Sequence, residues 1–203
     1  MKDLVRRQLA QSIATLQAVH DDEQIHDTML AIGGLTADSM RSGGKLLVAG
    51  NGGSAADSQH LVAELVGRLT VDRPALRAIA LTTDSSILTS IGNDFAYDYV
   101  FARQIEALGQ PGDVFLGIST SGNSKNIVRA LHQAKQQGVH TIGFSGNGGG
   151  AMRELCDFNI VIPSKITMNI QESHLTLEHI FCMLVERYTF GIDFDEAPQV
   201  LSE

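Results

Sequence analysis

His60 and Glu64 stand four residues apart, directly after the turn Gly50-Asn51-Gly52-Gly53-Ser54. Residues at that spacing share one face of a helix, so an imidazole and a carboxylate could hold one cation or pass one proton. Two further ligands would close a tetrahedral zinc site, and one further ligand plus a water would leave it open. The glycines upstream let backbone approach a ligand closely. The same pair is also what a solvated helix face carries, where it contributes roughly 0.2–0.5 kcal/mol, so spacing alone does not decide between chemistry and surface.

A second cluster, Ser119-Thr120-Ser121-Gly122-Asn123-Ser124, sits between the apolar run 113–118 and the helical pattern 125–138. Ser119, Thr120, Ser121 and Ser124 would bring hydroxyls to a helix start, where unpaired N–H groups and the helix dipole attract anions by about 0.3–1 kcal/mol. This reads as a phosphate cradle without a lysine. Ordinary N-capping by Ser or Asn beside a turn glycine is the alternative, and the position straight after a buried strand favours the ligand. The glycine-rich turn after the run 45–49 lacks the spacing of a Walker loop or a dinucleotide fingerprint, so a nucleotide is not indicated.

The elements that must place these residues follow from apolar patterning. Leu4, Leu9, Ile13, Leu16, Met29, Leu30, Ile32 and Leu35 fall at helical spacing around a polar break, which predicts a helical hairpin over 1–42. Short continuous apolar runs follow at 45–49, 77–81, 113–118, 140–144 and 158–162, separated by helix-length segments. Strands covered on both faces read this way, and the intervening helices supply the crossovers of parallel units. The expected fold is therefore α/β, a three-layer α/β/α sandwich with a central parallel sheet over 43–190, closed by a helix starting near residue 169. An acidic tail over 191–203 completes what is expected to be one domain.

The 203 residues carry a formal net charge of −8, which repels a nucleic-acid backbone. No apolar run approaches the ~20 residues of a membrane span and the N-terminus has no signal-like core, so no membrane partner and a cytoplasmic location are expected. Cys156 and Cys182 have no metal-binding or disulfide-framework spacing and are expected to be buried free thiols.

Four stretches, GNGGSAADSQHLVAEL, IGNDFAYD, GDVFLGISTSGNS and IQESH with a histidine five residues on, resemble the sugar isomerase (SIS) family, and within it the phosphoheptose isomerases. The resemblance spans nearly the whole chain. It implies aldose–ketose isomerisation of sedoheptulose 7-phosphate, with Glu64 as base and His179 as acid, and a zinc ion held by His60, Glu64, Gln171 and His179, one per subunit. It also implies sugar contacts from Asn51, Gly52, Gly53, Glu64, Asn93, Asp94 and Gln171, and assembly as a homotetramer. His174 is a second imidazole nearby; the family pattern selects His179. Asn93-Asp94 alone is also what a simple turn shows. A carboxylate gripped by metal is a poorer base, so Glu64 carries two competing duties.

Gln171 and His179 would lie about 12 Å apart along one ideal helix, which points to Gln171 at a frayed helix start or to ligands drawn from two subunits. One departure is Met168-Asn169, where family members usually show an arginine before the IQE element. A non-catalytic SIS protein that binds the replication initiator DnaA is the rival reading; it has no need of His60, Glu64 and His179 together. A phosphosugar-sensing regulator would need a DNA-binding domain for which the chain has no room.

Overall fold

The computed structural model describes residues 1–192. Most of the tail expected over 191–203 thus lies outside the described residues. Five strands form one parallel sheet: β1 (Leu46–Ala49), β2 (Ala78–Ala80), β3 (Val114–Ser119), β4 (His140–Gly146) and β5 (Phe158–Ile162). Every residue of β1 and β3 is buried, as continuous apolar runs require when helices cover both faces. The strand order is β2-β1-β3-β4-β5. The chain therefore reverses its direction of travel between β1 and β3, and the crevice beyond the carboxyl ends of those two strands is where open α/β sheets bind ligands. The glycine turn leaves β1 there, and the serine loop leaves β3.

Four helices cover one face: α1 (Lys2–His20), α2 (Glu23–Arg41), α3 (Gly53–Val66) and α8 (Thr167–Phe190). Their core pairs Ile32, Leu61, Leu65, Phe181 and Val185 with Leu46, Val48, Leu116 and Phe144 of the sheet. The opposite face carries α5 (Ala102–Leu108), α6 (Lys125–Gln136) and the short α7 (Met152–Leu155), packed through Ile105, Ile127, Leu131 and Met152 on Leu47 and Phe115. Leu88 and Ile91 of α4 (Ser85–Asp94) border that second cluster.

The N-terminal hairpin turns at Asp21-Asp22, and the Asp22 carboxylate accepts from the Gln24 and Ile25 N–H groups, satisfying two donors that open α2. The helical spacing in α1 is as expected, but its apolar stripe is not covered by the other described residues. Leu4, Val5, Leu9 and Ile13 are 53–65% exposed, while α1 buries only Thr15 and Val19. Cys182 is buried as expected, whereas Cys156 is only partly so. Among the described residues no helix is long and apolar enough to cross a membrane.

Candidate active site

Ser119 ends β3 and Ser124 precedes α6, so the serine loop is a strand-to-helix turn. Ordinary capping predicts that the Ser124 hydroxyl bonds the first turn of α6; it makes no such bond. Instead Ser124 Oγ lies 2.8 Å from Ser119 Oγ, and Ser121 Oγ lies 3.5 Å from Ser119 Oγ. Three hydroxyls gathered beside a helix start with no side-chain cap are an arrangement that can hold an anion. Thr120 lies between them in sequence and is half-buried.

The loop is braced from behind. Asn123 Nδ2 donates to Ser121 O at 3.0 Å, and Asn123 Oδ1 accepts from Ala151 N at 3.0 Å. Behind it, residues 147–150 all have positive φ, and a β-carbon on Gly122 would lie 2.0 Å from Gly149 O. Only glycine fits that contact.

The glycine turn enters α3 through Gly52, whose φ of 57° and ψ of −120° suit glycine. Asn51 forms a reciprocal amide pair with Asn126 across the crevice, at 2.9 and 2.8 Å. Tyr97, in the 3-10 turn Tyr97–Tyr99 after α4, donates its hydroxyl to Asn51 Oδ1 at 3.2 Å. Asn93 and Asp94 are exposed and bond each other at 2.8 Å. They form the last residues of α4, not the simple turn their types also allow.

His60 and Glu64 project from α3 towards His179 of α8. His60 Nε2 lies 2.9 Å from His179 Nε2 and 3.5 Å from Glu64 Oε1. One candidate donor atom from each residue falls within 4.8 Å of the others. Two imidazole nitrogens face to face at that distance can share at most one hydrogen between neutral rings. Tetrahedral zinc at 2.0–2.1 Å from nitrogen separates its ligand atoms by about 3.3 Å, and two histidines with one carboxylate are a known open catalytic set. The donor set and its spacing fit a cation. The side chains of His60 and Glu64 are 42% and 20% exposed, which leaves an approach for substrate.

Arg73 fixes the far end of this seam. Its guanidinium donates to Glu64 O at 2.8 Å and Leu65 O at 2.7 Å, and pairs with Glu186 of α8 at 2.7 Å with both side chains buried. It thereby satisfies carbonyls that the end of α3 leaves open and ties α3 to α8. Gln171 lies elsewhere: a β-carbon on Gly53 would meet its Nε2 at 2.5 Å, so its amide rests on the start of α3. Gln171 sits inside α8, which begins at Thr167, so the frayed start is ruled out. Within one chain Gln171 and His179 are eight residues, about two turns, apart on α8, the first against Gly53 and the second against His60.

Three features had no clear signal in the sequence. Asn123 and Asn126 read as ordinary polar residues at a helix start, yet both join segments distant in the chain. Glu178, beside His179, is buried with both oxygens unpartnered, and burial followed by the nearby Asp57 pushes its carboxyl up to about 8. His174 is buried with its Nε2 3.1 Å from Ser145 O, and burial pushes it down to about 4. It thus pins α8 to β4 as a neutral ring, while His179 faces the crevice. Burial also raises Cys156 to about 12 and Cys182 well above the usual range, so neither thiol offers a ready nucleophile.

Residues 9–146 match the SIS domain family. A phosphoheptose isomerase of Akkermansia muciniphila is 54% identical over 77% of this chain and 83% of its own length. One from Burkholderia pseudomallei is 50% identical over 92% and 95%. The solved phosphoheptose isomerase of Neisseria gonorrhoeae superposes with a TM-score of 0.85 at 39% identity, covering 91% of this chain and 98% of that one. With its sheet, its serine loop and its histidine–carboxylate cluster, this chain belongs to the phosphoheptose isomerase family of SIS-domain proteins.

Proposed function

We propose that the chain converts sedoheptulose 7-phosphate to D-glycero-D-manno-heptose 7-phosphate through an enediolate, in bacterial heptose biosynthesis. The observation that carries this reading is the meeting of His60, Glu64 and His179 on α3 and α8, with α3 entered from the loop after β1, the strand beside β3 and its serine loop. One end suits a phosphate and the other suits proton transfer, as an open-chain phosphosugar requires.

The serine loop holds the phosphate through Ser119, Thr120, Ser121 and Ser124. Asn51, Gly52, Gly53, Asn93 and Asp94 line the sugar's path. Glu64 takes a proton from C1, the C1–C2 double bond forms, and the C2 carbonyl oxygen takes up the negative charge of the enediolate. His179 carries the hydroxyl proton from O1 towards O2, and Glu64 returns its proton to C2. The C1 hydroxyl has then become a carbonyl, with no net change of atoms.

His60, Glu64 and His179 would hold one zinc ion per subunit, with Gln171 supplied by another copy because its own chain keeps it at the start of α3. Such an ion supplies charge stabilisation to oxygens that become negative. The exposed α1 stripe supports self-assembly, and a homotetramer in the cytoplasm is the form proposed. The DnaA-binding alternative is not favoured, since the relatives above are named as isomerases. Purified protein mixed with sedoheptulose 7-phosphate should yield an aldose phosphate detectable by proton NMR. Absence of any aldose in the presence of added zinc would refute the reading.

A further inference from the structure

Asn126 stands in the first turn of α6 and is only 4% exposed. The backbone N–H of Ile127 can only donate, and it donates to Asn126 Oδ1 at 3.0 Å. That contact fixes which end of the Asn126 amide is oxygen. Asn126 Nδ2 must then be the donor to Asn51 Oδ1 at 2.8 Å, and Asn126 Oδ1 the acceptor from Asn51 Nδ2 at 2.9 Å. Tyr97 supplies a second donor to Asn51 Oδ1 at 3.2 Å.

A primary amide has two N–H donors and an oxygen with two lone pairs. At Asn51 both lone pairs are engaged and one N–H is engaged. Among the described residues no hydrogen bond takes the other N–H. The backbone of α6 thus determines, through one buried side chain, what Asn51 can offer to a ligand. It can offer a hydrogen and not an oxygen. The pair also joins the loop after β1 to the helix after β3, across the crevice where the sheet order reverses.

We infer that Asn126 and Tyr97 are positioning residues for the isomerisation, which act through Asn51 by holding its free N–H as a donor towards an oxygen of the sugar. The inference rests on the proposed reading that the 51–53 turn contacts the sugar. Flipping the Asn51 amide would set two N–H groups and two oxygens against each other at Asn126 and turn Tyr97 from a donor into an acceptor that takes up an N–H of Asn51, so the held orientation selects an accepting oxygen at that point of the substrate.

The test is a mutant cycle read in kcat/KM with sedoheptulose 7-phosphate. Asn126→Asp keeps the acceptor for the Ile127 N–H but turns a carboxylate oxygen towards Asn51 Oδ1, forcing Asn51 to turn over or withdraw. A loss of about tenfold is expected, the size of one well-placed hydrogen bond. Tyr97→Phe removes only a hydroxyl from a side chain that is 59% exposed, and should cost about threefold without threatening the fold. Both losses should vanish when the same changes are made in an Asn51→Ala background, which a merely structural role would not produce.

Losses that persist undiminished in that background overturn the inference. So does an impaired Asn51→Ala beside unimpaired Tyr97→Phe and Asn126→Asp; the sugar contact then stands and the positioning does not. An Asn51→Ala with full kcat/KM overturns the sugar contact and the inference together. If Asn126→Asp does not fold, the Tyr97→Phe half of the cycle gives the same decision.

Discussion

The serine loop and the histidine cluster differ in how much of each is finished within one chain. Around Ser119–Ser124 the hydroxyls bond one another, Asn123 ties the loop to Ala151, and a run of positive-φ residues backs it. At His60, Glu64 and His179 the polar atoms face each other across a partly exposed gap, and Gln171 lies two turns away. The binding end is assembled by local bonds made on folding. On the reading proposed above, the chemical end takes Gln171 from another copy. Enzymes gain rate from interactions made in the transition state more than from those made equally in the ground state, so the two ends should fail differently when damaged.

The largest difference should come from Glu64→Gln. The amide keeps the size of the side chain but cannot take up a proton near neutral pH. Turnover and solvent-deuterium incorporation should fall about 10²–10⁴-fold, with substrate affinity by calorimetry little changed. Near wild-type deuterium wash-in would move the base to His179.

Acid should weaken the α8 scaffold before it affects the serine loop. His174 is held neutral, with its value lowered from 6.5 to about 4, so the unfolded chain takes up the proton first as pH falls. Its contribution is full above pH 6.5 and is lost as pH falls from 6.5 to 4, by up to about 3 kcal/mol. Glu178, raised to about 8, works in the opposite sense between pH 8 and 4.5 in either protein, so the expected outcome is a difference: urea unfolding should lose more stability from pH 6.5 to 4 in the wild type than in His174→Gln.

Charging the exposed α1 stripe separates the two ends by another route. Leu9→Asp with Ile13→Asp should dissociate the assembly in light scattering and lower turnover about 10–100-fold, the scale of a lost metal-supporting contact. The isolated protomer should still bind inorganic phosphate. A monomer with full activity would show that one chain completes the chemical end after all.

The smallest of these effects belongs to Ser121→Ala with Ser124→Ala. Loss of two hydroxyls from an anion should raise KM about tenfold or somewhat more, with kcat nearly constant. An unchanged KM would take the phosphate out of this loop.

The degree to which the sequence disclosed each part follows from the range of the interactions involved. The strands expected at 45–49, 113–118 and 158–162 appear at 46–49, 114–119 and 158–162, because burial on both faces writes a continuous apolar run into the chain. The shared face of His60 and Glu64 was equally legible from spacing. The exposure of Leu9 and Ile13 was not, since periodicity reports that a helix has an apolar face and is silent on what covers it. The partnership of Asn51 with Asn126 links residues 75 apart, and no local pattern encodes it. The burial of Glu178 likewise depends on how α3 meets α8. The set of family site residues was reached by resemblance, not by physics, and the place of Gln171 against Gly53 emerged only from the fold.

The contact between Gly122 and Gly149 O has a consequence for how such a protein can diverge. Any side chain at residue 122 would need the whole 147–150 segment to move, and that segment's backbone is itself of a kind most residues resist. A change there disrupts the proposed phosphate anchor instead of adjusting it by degrees. Heritable variation is therefore channelled away from this contact, to exposed positions such as Asn93, Asp94 and Met168, where a new side chain meets solvent and not a backbone carbonyl. A lineage built on this plan can alter the carbohydrate it accepts far more readily than it can give up the phosphate.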